Sequence, residues 1–415
     1  MIQHLHAGDY VYMPIIPERV RQCIYEGGST LDLTRVLSGP YCTMLLADMG
    51  AEVIKIESPR GDDSRAYPPF DKGISAYYAN LNRNKKSIKL DLHDEKAKDV
   101  LRKLIKISDV FVENFKPGTI AKMGFSYEEV KRLNPNIVFA SISGFGQTGP
   151  YRLLPGYDVI AQALSGMMSV TGWPDSPPTR TGTAIGDVLG GLNCCIGILA
   201  ALQGRNTQHH GEYVDIGLVD CSVSAMETIT EIYMVEGRIP KRAGNRYEFI
   251  YPYDSFEASD KWIVIGVGND AIWKRFCEAT EHDDWFADER FKLNKDRANQ
   301  KDELNAMVTS WTKQHTAKDI ITLLRAHGVP CAPIHDVADV VNDEHIAKAR
   351  QMICEIDHPV EGKMRVTGNP VKMTEADPYT YVKAPTLGKD TGDVLSNLLH
   401  LSPDDVSYFT KATTD

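Results

Sequence analysis

The 415-residue chain has no C-x-x-C pair, no histidine and cysteine residues at metal-ligand spacing, no G-x-S-x-G elbow and no internal repeat. These absences exclude a zinc ribbon, a thioredoxin-like redox centre, a serine hydrolase and a solenoid. Its eight cysteines include the adjacent pair Cys194–Cys195 inside an apolar run, which reads as buried, reduced thiols of an intracellular protein. A surplus of positive charge is also missing. The net charge is −10, which argues against a nucleic-acid or anionic-membrane partner. Val188–Leu202 is apolar but interrupted by Asn193, and it falls short of the roughly 20 residues that span a bilayer. The first 28 residues lack the layout of a secretory signal. Their Asp9 and Glu18 argue against a mitochondrial presequence, so the expected location is cytoplasmic, with the mitochondrial matrix as the alternative.

What remains is an ordinary globular composition, 42% hydrophobic and 25% charged, in a chain long enough for two domains. From about Ser29, strand-like segments ("TLDL", "AEVIKIES", "DVFVENF", "NIVFASISGF") alternate with helix-like ones, as in βαβ units around a mostly parallel sheet. Ligands of such sheets bind beyond the carboxyl ends of the strands. Those ends carry the glycine-, proline- and polar-rich stretches Arg35–Pro40, Glu57–Asp63, Glu113–Gly118 and Ser143–Pro150. After Phe249 the pattern changes to two antiparallel strands followed by helices near Asp270–Thr280, Gln300–Gln314 and Ala317–His327. The expected fold is therefore α/β, a Rossmann-like parallel sheet in a large domain plus a smaller α+β domain. The boundaries are an N-terminal extension over 1–28, the large domain over 29–215, a linker helix over 216–240, the small domain over 241–340, and 341–415 returning to the large domain.

Several short motifs compete for function. "GFGQTG" (Gly144–Gly149) matches a dinucleotide fingerprint, but Pro150 and Pro155 follow where a helix should open on a pyrophosphate. Its glycines are instead expected to let backbone approach another ligand. "NRNKKSIK" (Asn82–Lys89) is either a phosphate-facing patch or a solvated turn. Asp158 and Asp187 each head an apolar, helix-like run. Asp187 is either an N-cap or a carboxylate kept ionised by the helix dipole on an apolar rim, where it can serve as a nucleophile. Arg180 either grips a substrate carboxylate or makes a structural ion pair.

Taken in order, "LDLTRVLSGPYCTMLLADMGAEVIKIE", "VFVENFKPG", "MGF", "SISGFGQTGP", "GYDVIAQALSG" and "GDVLGG" resemble the class III (CaiB/BaiF-type) CoA-transferases over most of the chain. Within that family the chain is similar to the succinyl-CoA:glutarate type. The resemblance implies that Asp187 is the catalytic carboxylate, with Asp158 assisting the intermediates. It implies that Arg35, Val36, Ser38, Asn114, Phe115, Lys122 and Tyr157 bind coenzyme A. CoA is then a substrate thioester, the other substrate is a small carboxylic acid, and neither a prosthetic group nor a metal is required. It also implies an interlocked homodimer. Leu37 and the segment Arg242–Asp254 depart from the formyl-CoA:oxalate type, which puts oxalate and formate in doubt. A 2-methylacyl-CoA racemase of the same fold would have histidine where Tyr157 stands, and a phenol of pKa near 10 is a poor base at neutral pH. Arg35, Arg180, Arg242 and Arg246 are candidates to hold the far carboxylate of a dicarboxylic acceptor.

Overall fold

Alternating apolar residues build a sheet that is covered on both faces, as parallel sheets require. The computed structural model describes residues 28–374 and 380–411, so the expected extension over 1–28 lies outside them but for its last residue. Strands β1 (Ser29–Asp32), β2 (Glu52–Glu57), β3 (Lys85–Lys89), β4 (Val110–Glu113), β5 (Val138–Ser143) and β6 (Tyr213–Gly217) form one sheet in the order β3-β2-β1-β4-β5-β6. Every pairing is parallel. Leu31, Ile54, Phe111 and Phe139 enter one core. Their neighbours Val53, Val110, Val112, Val138 and Ala140 enter the other. The chain reverses direction across the sheet between β1 and β4, the place where doubly wound folds bind ligands.

Helix α1 (Ser38–Asp48) follows β1, and α2 (Glu95–Ile107) crosses from β3 to β4. Asp94 caps α2, accepting from the backbone N–H of Lys96 at 3.0 Å, and Ala97, Val100, Leu101, Leu104 and Ile105 form its buried stripe. Helix α3 (Asp158–Leu164) precedes α4 (Ile185–Gln208), the 24-residue helix of the core. The small residues of α4 are there for close packing. A β-carbon on Gly190 would lie 2.5 Å from Leu218, and one on Gly191 would lie 2.6 Å from the carbonyl oxygen of Ser38. By length and composition alone α4 is apolar enough to cross a membrane, with 33% of its apolar window buried among the described residues, which corrects the expectation drawn from the interrupted run.

The described chain divides into two compact units. The first holds the residues up to Ser165, Thr183–Ala225 and those from Lys348 onward; the second holds Gly166–Gly182 and Met226–Ala347. Gly166–Gly182 thus departs from the large domain in which the sequence pattern places it. The expected single linker helix over 216–240 is two helices, α5 (Leu218–Ser224) and α6 (Thr228–Glu236), separated where Glu227 adopts a φ of +40°. The second unit contains the antiparallel strands β7 (Tyr253–Glu257), β8 (Trp262–Gly266) and β9 (Cys331–Pro333) around a core that includes Trp273, Phe276 and Trp311. A hairpin of β10 (Ile353–Asp357) and β11 (Lys363–Thr367), unforeseen in the sequence, belongs to the first unit.

Candidate active site

A cleft of about 570 Å³ opens at the carboxyl ends of β1, β4 and β5. Seven residues expected at the site line it: Arg35, Val36, Ser38, Asn114, Phe115, Tyr157 and Asp187. Asp158 is buried, and Lys122 is exposed on the short helix Thr119–Lys122; neither lines the cleft. Ser143 also lines it, with a buried hydroxyl that has no hydrogen-bond partner among the described residues. Its position at the last residue of a strand was the available signal. Gly144 and Gly156 form another part of the wall, where a β-carbon on Gly144 would stand 2.8 Å from the Cα of Gly156. The glycine therefore serves the approach of two backbone segments to each other, and no helix begins at Gly149.

Asp187 is not an N-cap. Helix α4 begins two residues earlier, after Ala184, whose side chain offers no capping group. The capping oxygen comes from elsewhere: Asp158 Oδ1 accepts from the backbone N–H of Gly186 at 2.7 Å, while Gln162 donates to Oδ2 at 2.7 Å. Asp158 is likewise the first residue of its own helix and not that helix's cap. Asp187 is left free to face the cleft. Burial, and then the negative charge of Asp158, push its carboxyl up to about 7. Desolvation and a like charge therefore work against the ionised form that the helix dipole favours. Half-buried Tyr77 feels the same centre. Its phenol is pushed up to about 12 by burial and by the charge of Asp187.

Backbone ties fix the rest of the wall. The Asn114 amide clamps Arg35 in both directions, accepting from its N–H and donating to its carbonyl, each at 2.8 Å. Beneath Asn114, Glu113 accepts from the Phe115 N–H at 2.7 Å and from the Ser141 hydroxyl. Burial pushes the Glu113 carboxyl up to about 7. Across from this pair, α1 begins beside the cleft with no side-chain cap on its first turn. Unsatisfied N–H groups at a helix start favour an anionic ligand. A second cavity of about 210 Å³ shares Arg35 and Phe115 with the cleft and has apolar walls that include Leu33, Ile56, Leu90 and Met123.

The basic stretch Asn82–Lys89 is neither a phosphate patch nor a solvated turn. Buried Arg83 pairs with Asp48 at 2.6 Å, and buried Lys85 pairs with Asp32 at 2.9 Å. Among the candidate arginines, Arg35 lines the cleft and pairs with Asp63 at 3.1 Å. Arg246 is committed to Asp254 and Asp302 within the second unit, at 3.0 and 2.7 Å. Arg242 donates to the carbonyls of Ser169, Trp173 and Pro174 in the same unit, and Arg180 is exposed. Among the described residues no cluster of three or more metal-ligating side chains occurs.

Comparison with known proteins agrees with this architecture. The model of CoA-transferase family III matches residues 25–391. The chain is 39% identical to the succinyl-CoA:mesaconate CoA-transferase of Haloarcula marismortui over 375 residues, 88% of this chain and 94% of that one. It is 38% identical to the acetyl-CoA:oxalate CoA-transferase of Acetobacter aceti (88% and 92% covered). With the human succinyl-CoA:glutarate CoA-transferase it shares 36% identity (90% and 86% covered). A CaiB/BaiF family protein from Brucella suis superposes with a TM-score of 0.80 at 35% identity, over 90% of this chain and 98% of that one. With its family model, its relatives and its six-stranded parallel sheet in agreement, the chain belongs to the family III (CaiB/BaiF) CoA-transferases.

Proposed function

We propose that the protein moves CoA from succinyl-CoA to a dicarboxylic acid such as glutarate, with Asp187 as the nucleophile. The observation that carries this reading is a carboxylate at the start of a core helix, facing a cleft at the switch point of the sheet. Its raised pKa favours it as a nucleophile, because basicity and nucleophilicity rise together, and it still leaves a large ionised fraction at neutral pH.

In the first step the Asp187 carboxylate attacks the thioester carbonyl, the C–S bond breaks, and CoA leaves as the thiolate with a mixed anhydride formed. The thiolate then attacks the aspartyl carbon, releasing succinate and leaving an aspartyl-CoA thioester. The acceptor carboxylate attacks that thioester and expels the thiolate. The thiolate finally attacks the acceptor's acyl carbon, giving the new acyl-CoA and restoring Asp187. Each step creates or consumes an anion, which the uncapped start of α1 is suited to stabilise. Arg35, beside Phe115 and shared by both cavities, is the cation for CoA phosphates or for the acceptor's far carboxylate.

The same reading includes a homodimer. The apolar surface left open on the first unit, with Ile196 63% exposed on α4 and Tyr157 77% exposed, is of the kind a second copy would cover.

The decisive experiment incubates the protein with succinyl-CoA and a panel of mono- and dicarboxylates that includes oxalate, and identifies new acyl-CoA species by mass spectrometry. Intact-protein mass is read in parallel for a CoA adduct that Asp187→Ala lacks. A new dicarboxyl-CoA formed by wild type and not by the variant supports the proposal. Transfer to oxalate in preference to the larger acids overturns the acceptor assignment. Transfer that survives in Asp187→Ala overturns the mechanism.

A further inference from the structure

Val36 sits in the cleft wall with a φ of +68°, a left-handed conformation that β-branched residues avoid. A buried charge pair behind the wall, which Asp32 joins at 4.0 Å from Lys55, reaches its backbone. Asp62 Oδ1 accepts from the Val36 N–H at 3.1 Å, and also from the N–H and hydroxyl of Ser64 at 2.9 and 2.7 Å. Asp62 Oδ2 is 2.9 Å from the ammonium of Lys55, whose side chain is wholly buried. Lys55 in turn donates to the Thr34 carbonyl at 2.7 Å, one step upstream of Arg35. The neighbouring residue Asp63 pairs with the Arg35 side chain. A buried ion pair adds little net stability because desolvation offsets its attraction, so its placement asks for another reason.

We propose that Lys55 and Asp62 are positioning residues, which lock Val36 in its left-handed conformation and so shape the Arg35–Ser38 wall for the acyl-CoA. This rests on the reading of the cleft as the acyl-CoA site. Neither residue lines the cleft that holds Asp187, although Asp62 lines the second, smaller cavity. They act through the backbone of residues 34–36.

The test compares Asp62→Asn, which keeps an oxygen for the Val36 N–H, with Asp62→Ala, which does not, and adds Val36→Gly to the latter, because glycine adopts a positive φ without strain. In Asp62→Ala, amide exchange of the peptide spanning Thr34–Ser38 should quicken. Its KM for acyl-CoA should rise about tenfold while kcat changes far less. Asp62→Asn should retain most of the wild-type KM, and the Val36→Gly/Asp62→Ala double variant should recover much of it. If Asp62→Ala fails to fold and the double variant folds, that rescue supports the proposal; if neither folds, the pair is merely structural and the proposal falls. Unchanged exchange in Asp62→Ala, or no recovery from Val36→Gly, overturns it. Quickened exchange with an unmoved KM would instead overturn the assignment of this wall to acyl-CoA.

Discussion

The carboxylate of Asp158 accepts the backbone N–H of Gly186 at 2.7 Å, so the start of the helix that carries Asp187 is capped by a residue 28 positions earlier in the chain. The same contact brings a second negative charge toward Asp187 and contributes to its raised pKa. Capping and tuning are therefore one interaction.

Its consequence for activity is a pH limb. The proposed mechanism needs Asp187 ionised in the free enzyme, and with its carboxyl at about 7 the value of kcat/KM should rise about tenfold per pH unit below 7 and level off above it. Asp158→Asn keeps an oxygen for Gly186 and removes the charge, so the limb should move to lower pH. A limb that stays in place would show that Asp158 has no electrostatic share.

Stability should run the other way. Because the folded pKa of Asp187 is raised, its contribution is fully present below the ordinary carboxylate value of 3.8 and is lost as pH rises toward about 7. Asp187→Asn should then be more stable than wild type by about 1–2 kcal/mol at pH 8, discounted for the carboxylate's partial exposure, and by almost nothing near pH 4. Thermal melts at the two pH values check this, alongside an exchange rate reduced on the order of 10⁴-fold.

These ionisations were not legible in the sequence. The ordered motifs pointed to Asp187, but its protonation depends on burial and on Asp158, which only the fold brings near. Likewise the run from Asp187 onward signalled a helix, yet its true start two residues earlier escaped because Ala184 carries no capping group and the cap is long-range. The parallel sheet was readable because strand-like and helix-like segments alternate along the chain, and because strand residues on both faces, such as Phe111 and Val112, are apolar. The lysines and arginine of 82–89 were misleading for a related reason: composition shows charge, while Asp32 and Asp48, which absorb it, lie more than thirty residues away.

The packing of α4 on α1 gives a further test. Gly191→Ala would press a methyl group to within 2.6 Å of a backbone oxygen that has no rotamer to change. Overpacking of this kind costs about 1–3 kcal/mol. Since Ser38 carries that oxygen and lines the cleft, the variant should lose both melting temperature and affinity for acyl-CoA.

On the proposed reading the arginines should separate by role. Arg35→Ala should raise the KM for acyl-CoA or for the dicarboxylic acceptor by about tenfold while leaving stability nearly unchanged, since its ion pair with Asp63 is half exposed. Arg246→Ala should do the reverse, weakening the second unit by leaving Asp254 without its cation. Denaturation and steady-state kinetics on the two variants distinguish the roles.

The outer strand of the sheet has its own late partner. Ser87 on β3 receives the N–H of Gly388 on its hydroxyl at 2.9 Å and offers its own N–H to Asp390 at 2.8 Å, while Lys89 donates to Thr391, 302 positions further along. During synthesis at about 5–20 residues per second, this rim of the sheet therefore waits on the order of 15–60 s for the segment that covers it. Throughout that interval the nascent chain presents an open strand to its neighbours on the same message. For this protein, the hazard of misassembly lies in the time between making an edge and making its cover.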